Sequence, residues 1–122
     1  MTLRATTSLS LHYQVKPGPR EQVLVEIKGM LDRCAKEPEF IMAIIHETPE
    51  RPNEIVFYEL WKGTRAEFDA IQGPKLYRKA YLENVKNFIE KVEVKWNSPI
   101  LEWGTNLTGL NQSRGRGDAG AF

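Results

Sequence analysis

A chain of 122 residues, 41% hydrophobic and 27% charged with a formal net charge of +1, is the length and balance of one globular domain. It lacks the basic excess of a nucleic-acid binder, and no apolar run is long enough to cross a bilayer. The single cysteine, Cys34, excludes an intrachain disulfide framework, and residues 1–7 hold no apolar stretch of the kind a secretion signal needs, so a cytoplasmic protein is expected.

Residues 1–7 read as a flexible start. Over 8–16, Leu9, Leu11, Tyr13 and Val15 alternate with Ser10, His12, Gln14 and Lys16, which predicts a half-buried strand. Pro17-Gly18-Pro19 stops it, and Pro19 suits the first turn of a helix. Leu24, Ile27, Leu31 and Cys34 recur at helical spacing beside Val23 and Met30, predicting an amphipathic helix to about residue 36. Pro38 ends it. Residues 39–48 predict a second strand, with Phe40, Met42, Ile44 and His46 on one face and Ile41, Ala43 and Ile45 on the other. A turn-rich loop at 49–53 leads to a third strand that pairs antiparallel with the second. In it Ile55, Phe57, Glu59 and Trp61 oppose Val56, Tyr58 and Leu60.

Thr64 and Glu67 have the spacing of a capping box that opens a short helix, with Phe68 and Ile71 inward. Gly73-Pro74 breaks it. Tyr77, Tyr81, Val85, Phe88 and Val92 then form the stripe of a last helix. Residues 93–103 predict a final strand, interrupted at 97–99 by proline. From 104 to 122 Gly, Asn, Ser and Arg dominate, as in a disordered or extended tail.

The order strand, helix, strand, strand, broken helix, strand is that of a ferredoxin-like α+β fold: a four-stranded antiparallel sheet with helices on one face. The other face would be open. Yet both middle strands are apolar on both sides, and a bare apolar sheet face of that size is unusual on a monomer. A homodimer packed sheet to sheet, a dimeric α+β barrel spanning residues 8–103, is the economical expectation.

Four segments carry a family resemblance: Val15-Lys-Pro-Gly18, Glu37-Pro-Glu39, Phe57-Tyr-Glu-Leu-Trp61 and Arg65-Ala-Glu-Phe-Asp69. In order and spacing they make the chain resemble the antibiotic biosynthesis monooxygenase family over residues 8–103. The resemblance implies a dimeric ferredoxin-like barrel and oxidation of a quinol-like or polycyclic phenol without metal, flavin or other cofactor. This chain departs from the family at several places. Family histidines late in the short helix and after its proline align with Ile71 and Lys75. The haem-degrading branch has a tryptophan where Ile71 stands, a histidine where Tyr81 stands and an asparagine near Leu11 or His12. The resemblance therefore points to oxygenation of a small aromatic substrate and away from haem degradation.

Such chemistry needs an apolar pocket, a group to take a proton, and exclusion of water. The candidates are His12 and Tyr81 as catalytic groups, with Trp61, Phe68, Tyr77 and Phe57 as pocket walls. Large aromatics more often serve the core by area alone, and Tyr77 and Tyr81, one helical turn apart, also fit a buried stripe. His46 is a weaker candidate. Glu59, pointing with Phe57 and Trp61, reads as half of a structural ion pair, and Cys34 as an inert core thiol. The competing function is a non-catalytic dimeric module that binds a small apolar ligand. The interior between sheet and helices discriminates the two.

Overall fold

A computed structural model of the chain describes residues 5–104 and Thr108. Most of the predicted flexible start and nearly all of the predicted tail lie outside the described residues. Strand β1 (Thr6–Val15) is followed by helix α1 (Arg20–Cys34), strands β2 (Phe40–Thr48) and β3 (Arg51–Lys62), helices α2 (Arg65–Ile71) and α3 (Leu76–Val85), and strand β4 (Ile89–Asn97). The four strands form one antiparallel sheet in the order β2-β3-β1-β4, which is the ferredoxin-like arrangement. No helix among the described residues is long and apolar enough to cross a membrane.

Local chemistry places the joints. Thr64 accepts from the Glu67 backbone N–H while the Glu67 carboxylate accepts from the Thr64 N–H, so the predicted capping box opens α2. Gly63, just before it, has φ +99°, a conformation that side chains rarely adopt. Its N–H donates to the Ala5 carbonyl, and its own carbonyl accepts from the Thr7 hydroxyl. These bonds carry β1 back to Thr6, two residues before the predicted start, with Thr6 and Thr7 buried.

Three sequence expectations are revised. The loop at 49–53 is a tight turn: Thr48 already faces Arg51, and Pro52 lies within β3. In β2 a register shift between Phe40 and Met42 breaks the strict alternation, which puts Phe40 beside Trp61 on the helix side. The last helix ends at Val85, so Phe88 and Val92 are not helical, and β4 starts at Ile89 and stops at Asn97. Val85, Phe88 and Val92 fit a helical stripe, but Val92, Val94 and Trp96 fit a strand equally well. The free edge of β1 decides between them, because Tyr13, Leu11 and Leu9 pair with those three residues in turn.

The sheet has two unlike faces. Helices cover the face carrying Leu9, Leu11, Tyr13 and Val15 of β1, Ile55, Phe57, Glu59 and Trp61 of β3, and Val92, Val94 and Trp96 of β4. From the helices, Val23, Ile27, Met30 and Cys34 of α1, Phe68 of α2, and Tyr81 and Val85 of α3 are buried against it. The opposite face carries Met42, Ile44 and His46 of β2, Val56, Tyr58 and Leu60 of β3, and Ser8, Ser10, His12 and Gln14 of β1. It has no helix over it within the described residues.

Candidate functional site

Under α2 and the start of α3 the helix-covered face is packed solid. Trp61, 1% exposed, meets Phe40 and Phe68 edge to face at centroid distances of 5.3 Å each, and Phe68 meets Trp96 at 5.1 Å. The Arg78 guanidinium stacks over Phe68 at 4.8 Å and Trp61 at 5.4 Å. The space left beside Trp61 is about 10 Å³, room for one water beside the Gln72 side chain. Phe57, fully buried, is held edge to face against Tyr13. Among the described residues Trp61, Phe68 and Phe57 therefore fill the interior here, and the space beside Trp61 and Phe68 is of water size.

A polar network runs through this packed end. Glu59, 1% exposed, accepts from Trp61 Nε1 at 2.8 Å and from Arg78 Nη2 at 3.2 Å. The same guanidinium nitrogen lies 3.4 Å from Cys34 Sγ. The ion pair predicted for Glu59 thus forms, within one chain. A carboxylate this deep needs its cation and hydrogen bonds, and both are supplied. Burial pushes the Cys34 thiol up from its ordinary value, so it is poorly suited to act as a nucleophile. The Tyr77 hydroxyl donates to the Glu37 carboxylate at 3.1 Å, and Glu37 also pairs with Lys75 at 3.2 Å. Burial, with the neighbouring thiol and carboxylate, raises the Tyr77 hydroxyl as well.

Toward the other end the helix layer runs out. Because α3 stops at Val85 while β4 continues, Val92 and Val94 stay 49% and 45% exposed although they face the helix side. The result is a groove of about 360 Å³, within the range of small-molecule sites. Leu11, Tyr13, Leu82, Val85, Ile89, Val92 and Val94 line it, with Glu83 and Lys86 at hand. Tyr13 belongs to its wall, and the Tyr13 and Tyr81 hydroxyls share a hydrogen bond of 2.6 Å. Burial pushes Tyr13 up to about 12 and raises Tyr81 further, so both stay neutral hydroxyls near neutral pH. On the other side of α3, between it and α1, lies a second groove of about 280 Å³. Glu26, Gly29, Arg33, Tyr77, Ala80, Tyr81 and Asn84 contribute to it.

His12 does not join Tyr81. It lies on the opposite face of the sheet, where its Nε2 is 2.7 Å from Glu54 Oε1 and its strand partner on β4 is Glu93. Glu54 also pairs with Arg51, and the His12 contact, ahead of Arg51, holds the Glu54 carboxyl below the usual range. His46 is exposed on edge strand β2, on that same face. The two candidate catalytic groups, His12 and Tyr81, thus lie apart, because strand alternation sends neighbours Tyr13 and His12 to opposite sides. Two residues of the site were not singled out by sequence reasoning. In the sequence Tyr13 shows only as an apolar-face position of β1, and Arg78 falls outside the apolar stripe of α3. A signal for Arg78 existed: Glu59 needed a cation, and Arg78 lies one residue beyond the Tyr77 stripe position.

No family model matches the chain, and no curated protein matches its sequence. Its structure does have counterparts. A protein of Nitrosomonas europaea, named as a candidate antibiotic biosynthesis monooxygenase, superposes with a TM-score of 0.72 at 16% identity over 81% of this chain and 94% of that one. A Bacteroides thetaiotaomicron protein named in the same way gives 0.71 at 16% identity over 82% and 94%. A Mycobacterium tuberculosis protein gives 0.71 at 17% identity over 81% and 99%. This chain has their fold. Several of its structural counterparts carry the antibiotic biosynthesis monooxygenase name, in agreement with the resemblance seen in the sequence.

Proposed function

We propose that this chain is a small homodimeric oxygenase of the antibiotic biosynthesis monooxygenase type, acting on a quinol-like or polycyclic phenol without a cofactor. One observation carries the reading. An apolar groove of about 360 Å³ lies between sheet and helices, and a buried tyrosine of its wall holds a second tyrosine by its hydroxyl. A flat aromatic would lie between Leu82 and Val85 of α3 and Val92 and Val94 of β4. In a pair of hydroxyls, one donates to the other and the second proton is left to donate elsewhere. That free O–H is suited to a phenolate oxygen, the electron-rich form that reacts with oxygen. Phe57 packs edge to face behind Tyr13 of the groove wall, Trp61 and Phe68 fill the packed end, and Tyr77 fixes α3 to the segment after α1.

The homodimer belongs to this proposal. Met42, Ile44, Val56 and Tyr58 make the uncovered part of that sheet face apolar on its β2–β3 half, and a second copy packed sheet to sheet would cover it. The test is oxygen uptake with a panel of quinols and anthrones, paired with sedimentation at micromolar concentration. Turnover without added metal, flavin or haem supports the oxygenase, and a stable monomer ends the dimer.

The second reading is a non-catalytic dimeric module that binds a small apolar ligand. The neutral state of both tyrosines and the remote place of His12 favour it, and the carboxylate at the groove, Glu83, is taken up by an ion pair with Lys86. Ligand binding with no oxygen consumption for any quinol or anthrone would select it.

A further inference from the structure

We propose that the Tyr13–Tyr81 hydroxyl pair is a proton exit, carrying the proton of a phenol bound in the apolar groove to the solvent-open groove between α1 and α3. The proposal rests on the reading of the apolar groove as an aromatic-binding site and adds to that site a built route for the proton.

The two tyrosines belong to different grooves. Tyr13 lines the apolar one and Tyr81 does not; Tyr81 lines the α1–α3 one and Tyr13 does not. Their hydroxyls meet at 2.6 Å, and the residues are 2% and 5% exposed. The pair therefore crosses the packed layer beneath α3. The apolar groove is lined mainly by hydrocarbon, and its carboxylate, Glu83, is ion-paired with Lys86 at 2.7 Å. The α1–α3 groove holds the Glu26 carboxylate, whose Oε1 accepts from Asn84 Nδ2 at 3.1 Å. Gly29 has no heavy atom within 4 Å of where a Cβ would stand, which keeps open space along α1.

A hydroxyl accepts one proton while giving up another, so a hydroxyl pair passes a proton without either becoming a phenolate. This suits groups that burial keeps neutral, because neither tyrosine is available as an anionic base. In the step, the O–H bond of the bound phenol breaks and its proton bonds to the Tyr13 oxygen. The proton of Tyr13 moves to the Tyr81 oxygen, and that of Tyr81 leaves to water and the Glu26 carboxylate. No electron changes hands. The groove then holds a phenolate, the proton is in the outer groove, and rotation of the two hydroxyls restores the pair. Tyr13 touches the substrate, while Tyr81 acts through Tyr13 as a relay.

Naphthol tests the relay, because it becomes a strong acid when excited and its neutral and anionic forms emit at different wavelengths. Bound to the wild-type chain and excited beyond tryptophan absorption, it is expected to emit mainly as naphtholate. Tyr81→Phe should bind naphthol with unchanged affinity, because Tyr81 does not line that groove. Its ratio of anionic to neutral emission should fall by about tenfold or more. Removing one hydroxyl leaves its partner unpaired, so the double variant Tyr13→Phe/Tyr81→Phe, which leaves no orphan, guards against a folding defect. It should also bind and emit as neutral naphthol. Wild-type-like naphtholate emission from either variant would show that the proton leaves by the groove mouth, which overturns the relay and leaves the binding site standing. No binding of naphthol to the wild type overturns the site and the relay together.

Discussion

The two ends of the helix-covered sheet face solve the same burial problem differently. Around Trp61, three helix-side elements converge, and aromatic rings interlock around a paired Glu59 and Arg78 with space for one water. Around Val92, α3 has ended, the valines of β4 stay about half exposed, and a groove of ligand size remains. The lesson is that the residues with the most conspicuous functional chemistry, Trp61 and Phe68, do structural duty. The residues that make space are ordinary valines, leucines and one tyrosine. A tryptophan fills volume best where helices press on both sides of it, whereas a cavity needs an element that stops short.

The contrast can be broken first at the packed end. Arg78→Ala leaves the Glu59 carboxylate buried without its cation, and the expected loss is about 3–5 kcal/mol in urea unfolding. A loss below about 1 kcal/mol would mean that the pair is dispensable. Next, Trp61→Phe removes the bond to Glu59 and part of the ring contacts, at an expected cost of about 1–3 kcal/mol. Its affinity for naphthol should stay at the wild-type level, whereas Trp61 as a pocket wall would require it to fall. Weakened binding in a well-folded Trp61→Phe protein would return Trp61 to the site.

At the open end the forecast is reversed. Val94→Glu puts a charge on a half-exposed groove wall, so thermal stability should change little. Naphthol affinity should fall by about tenfold, or roughly 1.4 kcal/mol. If stability falls and affinity does not, the groove is merely loose packing. The smallest effect is the pH response of the tyrosine pair. Burial holds Tyr13 near 12, above the ordinary 10, and Tyr81 is raised in the same direction. Folding therefore favours the protonated hydroxyls: their contribution is intact below about pH 10 and is lost as the pH climbs through the folded values. Urea midpoints followed upward from neutrality should fall above that point. They should fall less in the double phenylalanine variant; parallel curves would show that other groups govern the alkaline limb.

Much of this was legible in the sequence where the code is local. Alternation in 8–16 and 55–61 gave the strands, Thr64 with Glu67 gave the start of α2, and the element order gave the ferredoxin-like fold. Glu59 announced a buried carboxylate in need of a cation. What failed did so at points of local ambiguity. Val85, Phe88 and Val92 satisfy a helical period, and only the empty edge of β1 recruits 89–97 into the sheet. The alternation in β2 is interrupted by a register shift that no single residue type announces.

The sequence by itself determined which side chains share a strand face or a helix stripe, because periods of 2 and 3.6 are properties of the backbone. It therefore already separated His12 from Tyr13. What only the tertiary structure decided is which element lies over each face and where it stops. That choice paired Arg78 with Glu59, joined Tyr13 to Tyr81 across 68 residues of chain, and opened a groove where α3 ends. Such contacts depend on helix length and sheet edge together, and no window of neighbouring residues contains both.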